Sequence, residues 1–259
     1  MNESLFQRFA PVIRSLSAAE LGGAPSLNAK LRIAQDGDVE VCYAPFEYIN
    51  PRARVVIVGI TPGQTQMLNA LKEARKQLEL GLDVQATLMA AKKTAAFSGA
   101  MRPNLVKLLD CVGVNRWLNI QSCEAFFGAA SDLVQTTSVL RNPVFIKGEN
   151  YNGTPNMTRH PLLRDQLLTH FAEDVKALPR AVFVPLGDKV AEALHFIADR
   201  GLLDHKRILD GLPHPSGANA ERVAYFLGSK SKDALSAKTN ANKLDQARES
   251  MMRKVQALA

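Results

Sequence analysis

The sequence predicts an α/β fold: a single domain with a central, mostly parallel four-stranded sheet flanked by helices, and with helical extensions at the termini. Two apolar runs, residues 55–58 and 181–184, are typical of strands that are buried on both faces. Segments with helical spacing of apolar residues separate the strand-like runs, and such alternation favours parallel pairing. With 259 residues, 46% of them hydrophobic, the chain is long enough to bury one substantial core.

The N-terminal part of the chain predicts a helix, a hairpin and the first buried strand. Residues 4–20 place apolar side chains at helical spacing. Residues 30–33 and 39–43 are short β-like runs on either side of an Asp-Gly-Asp sequence at 36–38, which is typical of a hairpin turn. The β-branched run at 55–58 follows as a strand.

The middle of the chain is predicted to be mainly helical. Residues 66–97 indicate two helices separated near residue 81, and residues 104–112 indicate another. A strand is expected over residues 132–136. A helix rich in Leu and charged side chains is expected over residues 160–178.

The last part of the chain repeats the strand and helix alternation and then changes composition. The strand at 181–184 is followed by a predicted helix at 189–200 and by a short strand at 207–209. From residue 229 onward, Ser, Lys, Ala and Asn dominate, and seven basic side chains stand against three acidic ones. We therefore expect an α/β domain over residues 1–228 and a basic C-terminal helical extension over residues 229–259.

The overall composition favours a polyanionic partner. The chain has 32 Lys and Arg against 25 Asp and Glu, a formal net charge of +7, which is typical of nucleic-acid-binding proteins among others. The three cysteines are far apart and show no C-x-x-C spacing, which argues against a zinc site, an iron–sulfur cluster or a disulfide framework. A signal-peptide pattern and a membrane-length apolar run are also absent from the sequence. We expect a cytoplasmic protein that binds no membrane, no metal and no cofactor.

A glycine-containing polar loop follows the first buried strand and occupies residues 59–65. Gly59 and Gly63 allow a ligand to approach the backbone closely, and Pro62 stiffens the turn. Taken alone, such a loop is more often plain strand-to-helix geometry. It is not a P-loop, because Gln64 stands where that motif requires Gly, and the G-x-G-x-x-G pattern of dinucleotide-binding proteins is missing.

A second polar loop begins at His214, after the last predicted strand. His214 lies between two prolines, so its backbone is restrained and its ring is not expected to fill the core. Ser216 and Asn219 offer hydrogen bonds to phosphates, and Gly217 permits close approach of a phosphate group. Because ligands bind beyond the carboxyl ends of parallel strands, both polar loops and the loop at Gly187 are expected to converge.

Three segments together resemble the uracil-DNA glycosylase superfamily, most closely its single-strand-selective branch. Residues 43–48, Tyr-Ala-Pro-Phe-Glu-Tyr, resemble that branch's Tyr-Asn-Pro-Leu-Glu-Tyr segment. Residues 59–63, Gly-Ile-Thr-Pro-Gly, resemble its Gly-Met-Asn-Pro-Gly loop, which we call motif 1. Residues 214–219, His-Pro-Ser-Gly-Ala-Asn, resemble its His-Pro-Ser-Pro-Arg-Asn loop, which we call motif 2. The resemblance spans residues 39–227 and implies that superfamily's α/β fold and base-excision chemistry.

The resemblance also implies roles for individual residues. The polar residue of motif 1 positions the hydrolytic water in this superfamily, and Thr61 stands there in place of the usual Asn or Asp. The histidine of motif 2, here His214, stabilises negative charge on the departing base. A further Asn that reads the pyrimidine edge aligns with Thr136, with Ser138 nearby. Because Thr61 and Thr136 replace the usual uracil-reading residues, either the substrate is not uracil or the activity is low.

The predicted site residues fall into three groups. The catalytic residues are His214 and Thr61. Tyr43 and Phe97 are candidates to stack on a flipped base. The residues expected to line the base pocket are Gly59, Ile60, Pro62, Gly63, Gln64, Tyr43, Phe97, Thr136 and Ser138. The residues expected to contact DNA are Ser216, Gly217, Ala218, Asn219 and Lys189.

The resulting functional hypothesis is a monomeric, monofunctional DNA glycosylase that flips out a modified pyrimidine and leaves an abasic site. A 5-hydroxymethyl or glycosylated 5-hydroxymethyl base, as in phage DNA, suits the small side chains of Thr61 and Thr136. One alternative is a superfamily member that binds DNA, or another nucleotide-like ligand, without catalysis. Another is an α/β hydrolase acting on small molecules, but the chain lacks the G-x-S-x-G nucleophile elbow of such enzymes.

Overall fold

A computed structural model of the chain describes residues 4–24, 26–95 and 101–258. The predicted α/β class is confirmed, because helices and both parallel and antiparallel strands are present. Contacts between residues divide the chain into two compact units. Unit 1 lies within residues 1–49, 60–96 and 137–177, and unit 2 lies within residues 50–59, 97–136 and 178–259.

The described α-helices and strands follow one another along the chain with short 3-10 turns between several of them. The helices are α1 (Leu5–Ser15), α2 (Ala18–Leu21), α3 (Ser26–Leu31), α4 (Gln64–Glu79), α5 (Val84–Ala95), α6 (Met101–Cys111), α7 (Val114–Trp117), α8 (Pro161–Gln166), α9 (Ala172–Ala177), α10 (Asp188–Ala198), α11 (Ala220–Phe226) and α12 (Ala241–Gln256). The strands are β1 (Arg32–Asp36), β2 (Val39–Cys42), β3 (Val55–Gly59), β4 (Val134–Ser138), β5 (Val144–Ile146), β6 (Glu149–Asn150) and β7 (Val182–Pro185).

Unit 1 contains a four-stranded sheet in the order β1-β2-β5-β6, with antiparallel pairing throughout. The predicted hairpin of β1 and β2 is confirmed, and Gly37 in its turn has a φ of +56°, a conformation that glycine adopts without strain. The second hairpin, β5 and β6, turns through Lys147 and Gly148, which both have positive φ. Lysine is rarely found in this conformation, so the sequence carries no turn signal at that position.

Unit 2 contains β3, β7 and residues 134–136 of β4, which form a sheet in the order β4-β3-β7. β3 and β7 are parallel, with Val55 opposite Val182 and Ile57 opposite Val184. The prediction of one mostly parallel four-stranded sheet is therefore wrong. The expected last strand is reduced to a single parallel bridge between Phe183 and Ile208, and the remaining strands form the separate antiparallel sheet of unit 1.

The core of unit 1 forms around α1, whose buried side chains Phe6, Phe9 and Ile13 share one face of the helix. α1 begins with a capping box, in which the Ser4 hydroxyl and the Gln7 side chain each bond the backbone N–H of the other residue. The buried residues that join this cluster include Leu16, Leu27, Leu31, Tyr43, Met67, Leu71, Leu88 and Phe145.

The core of unit 2 includes the C-terminal helix. α12 buries Met251 and Val255, which lie four residues apart and therefore on one face. These side chains belong to the same apolar cluster as Val55, Val184 and Phe226. The basic C-terminal segment thus supplies part of the core of unit 2 through this one helical face.

Among the described residues, no helix combines the length and the apolar character needed to span a membrane.

Replacing Met251 by Ala tests the packing of α12. Met251 is fully buried, so we expect a loss of about 2–5 kcal/mol in the free energy of unfolding, measured by urea denaturation. Met252→Ala is the matched control, because the neighbouring side chain is partly exposed and should cost less than half as much. Equal losses for the two variants would contradict the packing described.

Candidate functional site

Unit 2 contains a cleft of about 390 Å³ where the loops after β7 and after the Ile208 bridge meet the C-terminal helices. This is the edge at which ligands bind in parallel α/β sheets. The residues that line the cleft are Gly187, Asp188, Lys189, Gly211, Leu212, Pro213, His214, Asn219, Arg222, Lys238, Asn240, Lys243, Leu244 and Ala247. Three of the predicted site residues, His214, Asn219 and Lys189, are therefore brought together.

Two glycines allow the close approaches that shape this cleft. Gly187 lies just before α10 with a φ of +95°, and a Cβ placed there would lie 3.8 Å from Cδ2 of His214. Gly211 has a φ of +122°, and a Cβ there would come within 3.1 Å of the Cβ of Ala247 on α12. Because of these positive φ values, any residue other than glycine is disfavoured at both positions. The loop that leads to His214 is thus packed directly against α12.

The His214 ring is held by its own loop. Its Nδ1 accepts a hydrogen bond from the backbone N–H of Ser216 at 3.2 Å, so in the neutral ring the proton resides on Nε2. Asn104 fixes the next residue, because its side-chain amide donates to the carbonyl of Pro215 at 2.9 Å. Burial lowers the pKa of His214 below its ordinary value, so the ring is neutral at pH 7. The arrangement presents a neutral Nε2–H donor.

The remaining polar residues of motif 2 bond to one another. The Asn219 amide donates to the Ser216 hydroxyl at 3.1 Å, and the Arg222 guanidinium donates to the Asn219 side-chain oxygen at the same distance. Gly217 and Ala218 lie at the exposed tip of a 3-10 turn, Gly217–Asn219. The loop is therefore braced from α11 through Arg222, while its tip stays accessible to a ligand.

The cleft is predominantly cationic. Four of its lining residues are Lys or Arg, and one, Asp188, is a carboxylate. Lys243 on α12 pairs with Asp188 at 2.7 Å, but both side chains are largely exposed, so this ion pair is worth little. The excess positive charge suits an anionic ligand such as a nucleic-acid phosphate.

Thr61 of motif 1 lies in unit 1, where its hydroxyl both donates a hydrogen bond to a backbone carbonyl and accepts one from a backbone N–H. The Oγ1 atom donates to the carbonyl of Asn142 at 3.0 Å and accepts from the N–H of Val144 at 3.1 Å. A hydroxyl has one proton to donate, so these bonds hold the motif 1 loop against β5. The catalytic role of Thr61 stays a prediction.

The rest of motif 1 forms the start of α4. Gly63 is the N-cap residue, and its N–H donates to the side-chain oxygen of Gln66 at 3.0 Å. The Gln64 N–H donates to the side-chain oxygen of Asn150 at 2.8 Å, a residue that the sequence did not single out. Pro62 is buried, and the Ile60 carbonyl accepts from the N–H of Leu140 at 3.0 Å. Gly59, the last residue of β3, belongs to unit 2.

The other predicted pocket residues have different surroundings. Tyr43 is fully buried, its ring stacks on Phe9 at a centroid distance of 4.5 Å, and its hydroxyl donates to Glu47 at 2.8 Å. The structure thus places Tyr43 in the core of unit 1, where its ring has no open face. Thr136 and Ser138 are half-buried on β4, the first in unit 2 and the second in unit 1. Phe97 lies outside the described residues.

Sequence reasoning missed the basic residues that complete the cleft. Arg222 lies three residues after Asn219, at a spacing that puts both at the same end of α11. Lys238 and Lys243 come from the Lys-rich C-terminal segment, whose composition was the available signal. Their position beside His214 depends on the packing of α12 and could not be read from that composition.

Unit 1 contains a group of buried charges that the sequence did not indicate. Asp174 is almost fully buried and pairs with Arg141, and it also accepts from the Thr137 hydroxyl at 3.1 Å. Lys92 is buried as well, and its ammonium donates to the carbonyls of Phe46 and Tyr48 at 3.0 and 2.6 Å. Burial lowers the pKa of Lys92 to about 8.

Within the described residues, no three or more His, Cys, Asp or Glu side chains are grouped so that they could hold a metal ion.

Comparisons with known proteins place the chain beside one curated relative. No family model matches the sequence, and no solved structure matches it. The chain is 34% identical over 238 residues to the uncharacterized protein YoxB of Bacillus subtilis (strain 168), and the match covers 91% of this chain and 92% of that protein. Identity at this level over nearly the full length of both proteins shows common descent. The chain therefore belongs to the same protein family as YoxB.

Proposed function

We propose that the protein is a DNA glycosylase that hydrolyses the N-glycosidic bond of a modified pyrimidine and leaves an abasic site. The observation that carries this proposal is the His214 ring, fixed by its own loop in the lining of a cationic cleft. The proposal also rests on the resemblance of motifs 1 and 2 to the uracil-DNA glycosylase superfamily.

The chemistry of base release needs a donor of the kind that His214 presents. Breaking the bond between sugar and base builds positive charge on the sugar and negative charge on an oxygen of the base. A hydrogen-bond donor that already points at this oxygen stabilises the transition state more than the substrate, and so lowers the barrier. A neutral Nε2–H supplies that bond without a proton transfer that would have to be reversed at each turnover.

The cationic cleft supports DNA as the substrate. Lys189, Arg222 and Lys238 bring positive charge to the same cleft as His214, and phosphates are the anions that repeat along a DNA strand. Hydroxyl, amide and backbone N–H groups of motif 2 suit the positioning of a strand without reading its sequence. A base must leave the stack to reach such a donor, so the substrate is a flipped or single-stranded nucleotide.

The residue at position 136 supports a particular kind of base. Thr136 stands where the superfamily uses an amide to read uracil. A site without that amide makes fewer hydrogen bonds to uracil and leaves room for a substituent at C5 of the ring. We therefore propose a 5-substituted pyrimidine, such as 5-hydroxymethyl or glycosylated 5-hydroxymethyl base, as the substrate.

A second candidate function is a DNA-binding module without catalysis. The bonding of Thr61 favours it, because a hydroxyl that donates to Asn142 has no second proton with which to orient a water molecule. The two candidates differ in one observable: only a glycosylase releases free base and leaves alkali-labile sites in the DNA.

The His214→Ala variant tests the proposed glycosylase activity. On DNAs that carry a panel of 5-substituted pyrimidines, the wild type should release base, and the variant should be slower by about 10²-fold or more, with little change in DNA affinity. His160→Gln, which changes a histidine of unit 1, is the control and should keep full activity. DNA binding by the wild type with no base release from any substrate would favour the binding module instead.

The pH profile provides an independent test of the neutral donor. Burial lowers the pKa of His214 below its ordinary 6.5, so the ring stays neutral until the pH falls to the lowered pKa. The single-turnover rate of base release should therefore be level from pH 8 down to about 6.5 and fall at lower pH. A rate that rises as the pH drops through this range would show that the charged ring is the active form.

Salt dependence tests the assignment of the cleft to DNA phosphates. Lys238 lines the cleft and is exposed, so Lys238→Ala should weaken DNA binding and reduce the slope of log affinity against log salt by about 0.7–0.9, the value for one lost phosphate contact. Lys147→Ala removes an exposed lysine of unit 1 and should leave the slope unchanged. Wild-type affinity that does not vary with salt would contradict DNA binding by this cleft.

A further inference from the structure

Two histidines of unit 2 face each other outside the set of residues that line the cleft. His195 lies in the last turn of α10, and His205 begins a short 3-10 turn, His205–Arg207. Their Nδ1 atoms are 3.3 Å apart, the ring centroids are 5.5 Å apart and the ring planes differ by 22°. Both side chains are partly exposed, at 39% and 54%, so solvent species can reach the pair.

Each ring has a carboxylate beside its Nε2 atom. Nε2 of His195 lies 3.0 Å from Asp210, and Nε2 of His205 lies 3.1 Å from Asp199. An ionised carboxylate accepts hydrogen bonds and cannot donate them, so Nε2 of His195 carries the proton of its neutral ring and Nδ1 is an acceptor. Lys254 also contacts Asp210, at 2.5 Å. Burial acts to raise the pKa of Asp210, but the hydrogen bonds from Lys254 and His195 keep it below its usual value.

The 3.3 Å separation of the two Nδ1 atoms requires a species that joins them, because two unprotonated nitrogens at this distance would face each other with their lone pairs. A proton on Nδ1 of His205, donated to Nδ1 of His195, satisfies the requirement. A metal ion that replaces this proton and accepts both lone pairs satisfies it as well.

We infer that His195 and His205 form a binding site for a divalent transition metal of the zinc class, with both Nδ1 atoms as ligands. Imidazole nitrogen binds Zn²⁺ at about 2.0–2.1 Å, and tetrahedral angles then set two nitrogens about 3.3 Å apart. The observed separation of the Nδ1 atoms is 3.3 Å. Neither imidazole ring has to move far for a zinc ion to bind both Nδ1 atoms.

The carboxylates around the pair match the outer shell of a metal site. Metal-bound histidines almost always donate their second N–H to a carboxylate or carbonyl, which fixes the ring and raises its basicity. Here Asp210 accepts from Nε2 of His195, and a carboxylate oxygen of Asp199 lies 3.1 Å from Nε2 of His205. In the part of the chain that the structure describes, no third His, Cys, Asp or Glu side chain joins the group, so water or an external donor completes the coordination. The site is open rather than structural.

Zinc binding to the full-length protein, measured by isothermal titration calorimetry, tests this inference. The wild type should bind one Zn²⁺ through this pair, and His195→Gln and His205→Gln should each weaken that binding by about 10-fold or more, because each removes one of two ligands. Asp210→Asn should weaken it by about 10-fold, because the outer-shell carboxylate that accepts from His195 is lost. His160→Gln is the matched control and should bind zinc as the wild type does.

Nitrogen-15 NMR of the histidine rings gives a second readout that needs no variant. Zinc should shift the Nδ1 resonances of His195 and His205 and leave each Nε2 protonated. Absence of a zinc-dependent shift in these two rings, or zinc binding that His195→Gln leaves unchanged, would overturn the inference. The pair would then hold a shared proton only.

Discussion

The parallel pairing of β3 with β7 is the constraint on which unit 2 depends. Both strands are buried, and the hydrogen bond from the Leu186 N–H to the Val58 carbonyl, 2.9 Å long, holds them together at their carboxyl ends. Ile208 extends this arrangement beside Phe183, so the loop that follows Leu209 emerges at the same edge. A buried strand must satisfy its backbone groups within the sheet, and this requirement fixes where the loops at Gly187 and His214 begin.

The cleft obtains its chemistry from helices that are distant in sequence. α10, α11 and α12 contribute Lys189, Arg222 and Lys243 respectively. α12 can do so because Met251, further along the helix, anchors it in the core. An amphipathic helix that buries apolar side chains on one face can present charges outside that face at little cost, since those charges stay hydrated. The basic side chains of the C-terminal segment thus add positive charge to the cleft.

Polar residues that look alike in sequence serve different purposes in the two units. Thr61 and Asn150 in unit 1 are bonded to backbone groups, and they fix the loop that starts α4. His214 in unit 2 uses Nδ1 to accept a hydrogen bond within its own loop, which leaves Nε2–H as the donor of the neutral ring. The distinction depends on which hydrogen-bonding groups are already satisfied by the protein. A donor that remains available in a cationic cleft is the better basis for a catalytic proposal.

The sequence by itself determined the features that arise from local patterns. Continuous β-branched residues indicated β3, the Asp-Gly-Asp turn indicated the β1–β2 hairpin, and the prolines around His214 indicated a restrained polar loop. Only the tertiary structure decided the rest. The split into two sheets, the burial of Tyr43 and the facing rings of His195 and His205 all depend on contacts between residues that are not adjacent in a helix, strand or turn. Periodicity and turn chemistry describe what a segment can form, whereas pairing and packing are selected by the burial and hydrogen bonding of the whole fold.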